Sequence, residues 1–347
     1  MFMIIMLHVL GQGGALDAAP IGSVRSTAFW LIEIVCLCGV NCFGVISGYV
    51  GYKTGHRLSS ILRLWLEVAS IIAIGNIVSV ACGYLDVKTA IIQTLFPVTT
   101  RYYWFASAYI ALFFFMPLID AAIERCSRQA SFVALFSFFL LASCCSLLPW
   151  GASPFSLEGG YSFIWLAYLY VLGAYYRKYG LPRLSNLRPL LLFGSTAIVV
   201  LILRVAAPAA LSMHTPTWLA DLGPRLDNYT SPFMLIQAVA LLSLFKSMSV
   251  PTLLQRVLQQ ITPYIFGVYL IHTHQLIFSH ILPSVSMPIS MLPTPAALIL
   301  APCIGLLIFL VSLGLSIARK KLIERPAVTG MLAKADALVN NHFADRL

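Results

Sequence analysis

Charge is what this chain has least of. Of its 347 residues 10 % are charged, 22 basic and 12 acidic. A soluble domain carries roughly 25 % charged residues. That shortage argues against a soluble enzyme, a disordered tail and a collagen. Other signatures are missing too. No G-x-S-x-G elbow, Walker loop or H-E-x-x-H pair occurs, so soluble-hydrolase and ATPase readings lack support. The eight cysteines contain no C-x-x-C pair, and nearly all lie inside apolar runs. They read as small buried hydrophobes, not as a disulfide framework or a zinc site. Large polar segments, low-complexity stretches and clear internal repeats are also lacking.

What the chain does have is apolar length. Hydrophobic residues make up 60 % and the mean hydropathy is +0.89. A bilayer-crossing helix needs about 20 apolar residues, and ten would need roughly 200. The runs are continuous and not alternating, which argues against an outer-membrane barrel. The expectation is an all-α, polytopic bundle of about ten transmembrane helices. Cut at charges, Pro and Gly clusters, the spans fall near 1–14, 28–50, 61–82, 103–122, 130–148, 162–176, 189–207, 231–248, 262–281 and 296–317. This plan places 17 of the 22 basic residues on one side. They comprise eleven in connectors and span ends from Lys53 to Arg256, and six in the tail from Arg319 to Arg346. Arg25, Lys88, Arg101, Arg204 and Arg225 fall on the other side. Cytoplasmic loops keep Lys and Arg, so both termini are expected in the cytoplasm. The net charge of +10 then reflects topology and not nucleic-acid binding. Residues 1–347 read as one transmembrane domain, with 318–347 as a short cytoplasmic tail.

The first span is short. Met1–Gly14 offers fewer apolar residues than the ~17 that a spanning helix needs. A cleaved signal peptide is one reading, but the run lacks a basic start and holds His8 in its core. The favoured expectation is a helix whose N-terminal half lies upstream of Met1.

Ionisable residues inside spans are costly and mark function by default. His8 lies in the first span and Glu33 in the second, both toward the outer half. The two spans run oppositely, so the residues can face each other. A carboxylate beside an imidazole is a way to orient a general base. The plainer alternative is a His bonding a neighbouring helix, as is common in bundles. His272 and His274 lie in the ninth span, and an i, i+2 pair points to different faces of a helix, which disfavours a shared metal. Asn41 and Ser47 suit bonds across helices.

Arg63 opens the third span just after Lys53 and Arg57. Ordinary positive-inside anchoring explains such residues, and a pair with Glu67 one turn on is a second plain reading. The sharper reading is a phosphate site for a nucleotide-bearing donor, since guanidinium makes bidentate contacts. On the opposite side, Arg101-Tyr102-Tyr103-Trp104-Phe105 opens the fourth span. Its aromatics suit an interfacial belt or a carbohydrate platform, with Arg101 and Asp227 as polar partners.

These segments together resemble the membrane acyltransferase 3 family. The stretches that carry the resemblance are Met3–Val9 with His8, and Asn41–Tyr49, which ends in Ser-Gly-Tyr. Tyr103-Trp104-Phe105, Gly160-Tyr161-Ser162, Gly173-Ala174-Tyr175 and Tyr229-Thr230-Ser231-Pro232 follow in order. Phe266–His272 and Ile323-Glu324-Arg325-Pro326 complete the series. The resemblance implies acyl-CoA, usually acetyl-CoA, as co-substrate and a hydroxyl of a surface or lipid-linked glycan as acceptor. It implies that His8 is catalytic, as a base or as an acyl relay. Two departures stand out. The family's Arg early in the first helix has no counterpart, and its R-x-x-R before the third helix is met only by Arg63.

The expected protein is an integral-membrane O-acyltransferase of the cell membrane. His8 and Glu33 form its catalytic pair. Arg63, Arg57 and Lys53 hold the CoA phosphates, and Arg101, Trp104, Tyr229 and His272 line the substrate cavity. No metal and no nucleic acid are expected; membrane lipid is. The alternative is a glycan or lipid transporter without chemistry.

Overall fold

The computed structural model describes residues 1–55, 57–148, 154–180, 187–211, 222–223, 225–323 and 330. Among these residues all regular structure is helical. Helices form where apolar residues run continuously, because a backbone in hydrocarbon must satisfy its own N–H and C=O groups. We number them α1 (Phe2–Gln12), α2 (Val24–Leu37), α3 (Gly39–Gly51), α4 (Leu58–Ala81), α5 (Val87–Leu95), α6 (Trp104–Arg125) and α7 (Arg128–Phe139). Then come α8 (Phe163–Tyr179), α9 (Leu187–Leu211), α10 (Pro232–Ser247), α11 (Thr252–Ile261), α12 (Ile265–His272), α13 (Leu282–Ser286) and α14 (Thr294–Ile323). Side chains start several of them where the sequence offers a cap. Ser23, Asp86, Ser127 and Ser162 accept from the backbone N–H three residues on and start α2, α5, α7 and α8. Gly180 ends α8 at a φ of +85° that other residues avoid.

A helical segment stands at each of the ten expected spans, but they are not equal. Among the described residues, six segments are long and apolar enough to cross a membrane: Val24–Gly51, Ser59–Ala81, Trp104–Arg125, Arg128–Leu147, Arg188–Val205 and Thr294–Ile323. The first of these joins α2 and α3. A seventh is counted if Thr252–His272 and Ile277–Met291 form one span, bent by 62°. The apolar helices α1 and α10 are shorter. The expected ninth span is therefore broken. At the break, side chains add hydrogen bonds to carbonyls one turn back. His272 Nδ1 bonds the Val268 carbonyl at 2.7 Å, and Thr273 Oγ1 donates to the Tyr269 carbonyl at 2.6 Å.

The bundle is centred on α8, which buries Trp165, Leu166, Leu169 and Tyr170 among others. Its tightest partner is α3. A Cβ on Gly48 would overlap the Tyr170 carbonyl, and one on Gly173 would overlap the Val45 carbonyl. Small residues let two backbones approach where there is no water to drive helices together. Asn41 is fully buried beside this seam and bonds two elements: it donates to the Tyr229 carbonyl at 2.8 Å and accepts from Trp165 Nε1 at 3.0 Å. Its polar side chain thus does cross-bundle work, as its type suggested.

The periphery is apolar and open. Leu306, Leu307, Leu310 and Val311 of α14 are all exposed, a surface that suits lipid. The same inversion corrects the reading of the cysteines. All eight are free, but only Cys36 and Cys38 are buried, while Cys82, Cys126, Cys145 and Cys303 are exposed. An apolar run in a bilayer does not mark an interior position, because its outer face also meets hydrocarbon. The tail begins inside α14, which continues to Ile323; Glu324, Arg325 and Pro326 lie outside the described residues.

Candidate functional site

A cavity of about 900 Å³ opens inside the bundle. Leu64 and Thr262, near the starts of α4 and α12, line one end. Gln93, Arg101 and Gln275, beyond the far ends of those helices, line the other. His8, Phe43, Tyr102, Trp104, Tyr229, Tyr269 and Phe278 also line it. Its walls are mainly aromatic, with few polar groups, which is the usual make-up of a ligand pocket.

His8 is placed by an irregularity in α1. The first six residues are α-helical, and His8 opens a π-helical turn that runs to Gln12. Such turns are rare and gather at functional sites. A second π turn, Ile277–Ile281, carries Phe278, whose ring meets the His8 ring edge-on with centroids 5.0 Å apart.

His8 Nδ1 lies 3.0 Å from His272 Nε2. The protons in this chain follow from one fixed point. A carbonyl only accepts, so the 2.7 Å contact of His272 Nδ1 with the Val268 carbonyl requires an N–H on Nδ1. Neutral His272 then presents an unprotonated Nε2, and His8 Nδ1–H donates to it. The lone pair of neutral His8 is thereby assigned to Nε2. A carbonyl, a histidine and a second histidine, in that order, fix the tautomer of a ring in the cavity wall.

Glu33 stands close by but in a different relation. Its Oε1 lies 3.3 Å from where a Cβ on Gly11 would sit, so it packs against the same π turn as His8. Its Oε2 is buried with no hydrogen-bond partner among the described residues. The structure brings Glu33 to the neighbourhood of His8, while the hydrogen bond on Nδ1 comes from His272.

The three basic residues expected to hold phosphates separate. Arg57 and Arg63 are exposed, and Arg63 precedes the cavity-lining Leu64. Lys53 is engaged elsewhere: its Nζ lies 2.9 Å from Glu124 and its backbone N–H donates to Asp120 at 3.0 Å. None of the three lines the cavity itself. Glu67 pairs with Arg319 of α14 at 3.2 Å, which corrects the local Arg63–Glu67 reading. Arg319 is buried and takes Ser70 as a further acceptor at 2.9 Å.

At the opposite end the aromatic platform is real. Trp104 stacks on Tyr229 with ring planes 19° apart, and Tyr161 leans on both. Arg101 sits beside it, held by Glu158 at 3.0 Å. Asp227 is not its companion. It pairs with Arg204 at 3.2 Å, and Arg204 in turn lies over the Trp30 ring at 4.1 Å. Burial pushes the Asp227 carboxyl up to about 6, and Arg204 opposes that rise.

Residues 1–318 match a sequence family described as an acyltransferase domain. The chain belongs to the membrane acyltransferase 3 family. No curated protein and no solved structure matches it. As a member, the protein is a transferase acting on acyl groups, with several apolar helices of membrane-crossing length.

In this acyltransferase His8 lines the cavity, while His272, expected to line it as well, stands behind His8, a pairing that the sequence missed. They stand 264 positions apart, and nothing in local spacing joins them. Tyr102 and His274, which also meet at the cavity wall, carried no assigned role. The only local signal for either is residue type inside an apolar run.

Proposed function

We propose that this acyltransferase takes its acyl group from acyl-CoA, with acetyl-CoA as the reference donor, and gives it to a hydroxyl of a surface or lipid-linked glycan in the cell membrane. One observation carries the reading: a tautomer-fixed His8 in the wall of a cavity that reaches toward both ends of the bundle. Two substrates that approach from opposite sides need such a space, since polar groups facing lipid are penalised. The full topology proposed is ten spans with both termini in the cytoplasm, on the strength of the basic-residue asymmetry.

His8 Nε2 takes the proton of the acceptor hydroxyl as that oxygen bonds to the thioester carbonyl carbon. The C–S bond then breaks, and the leaving thiolate takes the proton back from His8. Net charge and protons balance: a thioester and an alcohol become an ester and a thiol. His272 holds the ring and stabilises its protonated form, a role that the sequence assigned to Glu33. Glu33 flanks the π turn and supports the placement of His8. Arg63 and Arg57 meet the CoA phosphates at the Leu64 end. Lys53, already bonded to Glu124 and Asp120, drops out of that group. Trp104 and Tyr229 bind the sugar face at the other end, with Arg101 beside them.

Purified protein in lipid nanodiscs, given acetyl-CoA labelled in the acetyl group, tests this directly. An acyltransferase of this kind releases free CoA thiol and moves label to a hydroxyl acceptor. A protein that neither binds nor cleaves acetyl-CoA contradicts the proposal. No observation favours the transporter alternative.

A further inference from the structure

The break that carries His272 also carries His274, and the second histidine builds its own arrangement at the same cavity. Its Nε2 lies 3.0 Å from the hydroxyl oxygen of Tyr102. The backbone N–H of Leu276 donates to its Nδ1 at 3.2 Å, so that nitrogen carries no proton. Nε2 is then the protonated nitrogen and donates to Tyr102. The backbone N–H of Gln275 donates to the same Tyr102 oxygen at 3.3 Å. The phenol oxygen therefore receives two hydrogen bonds and keeps one proton to give. Tyr102 lines the cavity shared with His8. Gly75 makes the approach possible, because a Cβ there would overlap the His274 ring at Nε2. The phenol itself stays protonated, since burial pushes it up to about 12.

We propose that Tyr102 donates its hydrogen bond to the carbonyl oxygen of the acyl group during transfer, and that His274 is the residue that positions it. The proposal rests on the acyltransferase reading above and names a residue for that same site. The attacking hydroxyl must surrender its proton to His8. The oxygen that gains charge is the carbonyl oxygen: as the new C–O bond forms, the C=O π pair moves onto it. A group with both acceptor positions filled can only donate, which suits an oxygen becoming negative. Tyr102 shares its proton without losing it, and the pair returns to the carbon as the C–S bond breaks.

The test uses the full chain in nanodiscs with acetyl-CoA, read as CoA thiol release with octyl glucoside or water as acceptor. Tyr102→Phe removes one oxygen and keeps the ring. It is expected to lower kcat by roughly 10²-fold or more while the KM for acetyl-CoA stays within about twofold. His274→Leu should give a smaller loss of the same kind, and His274→Gln, which keeps an N–H donor, should recover part of it. Gly75→Ala, which displaces the histidine, should follow His274→Leu. A Tyr102→Phe protein with wild-type kcat overturns the assignment, as does one whose KM rises while kcat holds. A folded wild type that leaves acetyl-CoA intact overturns the underlying reading and this assignment with it.

Discussion

His8 Nδ1 and His272 Nε2 lie 3.0 Å apart, and the Val268 carbonyl behind His272 fixes the direction of the bond between them. The consequence is a defined lone pair on His8 Nε2 in the wall of the cavity. If His272 acts through His8, then His272→Phe should fill the same space and lose the bond. We expect kcat for acyl transfer to fall by about 10²-fold or more, with donor KM little changed. Because protonated His8 loses the partner that stabilises it, a shift of the kcat–pH profile toward lower pH is the accompanying sign. A variant with wild-type kcat and an unmoved profile would reduce His272 to packing.

The phosphate assignment divides residues that the sequence grouped. Arg63→Ala and Arg57→Ala should each raise the KM for acetyl-CoA by roughly 10-fold, the scale of a charge-assisted contact. Lys53→Ala should leave that KM within about twofold. Its ion pair with Glu124 is half exposed, and such pairs contribute little to stability. Titration of donor KM in the three variants checks the division, and an equal effect at Lys53 would contradict it.

The seam between α3 and α8 predicts a stability effect with no change of chemistry. Gly48→Ala and Gly173→Ala each place a Cβ on backbone of the facing helix, which cannot swing away as a side chain does. Each should cost about 1–3 kcal/mol, the range for overpacking. Thermal unfolding in detergent reads it as a lowered midpoint. Gly194→Ala in α9 is the control, because a Cβ there meets nothing.

The Glu67–Arg319 pair ties α4 to α14 with Arg319 almost fully buried. Removing Glu67 takes its carboxylate away from a buried guanidinium, so Glu67→Leu should destabilise the protein by about 3–5 kcal/mol. The double variant Glu67→Leu with Arg319→Met should recover much of that loss, since a matched apolar pair strands nothing. Comparing unfolding midpoints of the single and double variants checks it. Equal loss in both would mean that the pair acts through more than mutual neutralisation.

Much of this architecture was legible because apolar length needs no partner to be read. Each expected span coincides with helical structure, and the intramembrane His8 stood out by residue type. Rotation about the helix axis was not legible. A π turn changes the number of residues per turn, so the face that His8 presents could not follow from 3.6-residue spacing. Glu33 was matched to His8 by depth alone, yet depth says nothing of the imidazole that reaches Nδ1 from 264 positions away. Likewise Glu67 lies one turn from Arg63 but turns to Arg319, a pairing set by the buried charge of a distant helix. The break at Thr273 was hidden for a further reason. No Pro or Gly marks it, the side-chain bonds of His272 and Thr273 there stay within their own helix, and the run around them stays apolar.

The most direct measurement is acyl transfer by His8→Ala protein purified in parallel with wild type. Labelled acetyl-CoA is the donor, and folding is verified by an unchanged unfolding midpoint. The account predicts that label transfer falls to background while acetyl-CoA still binds with wild-type affinity, because His8 supplies the base and not the donor site. Transfer that persists in the His8→Ala protein would contradict it.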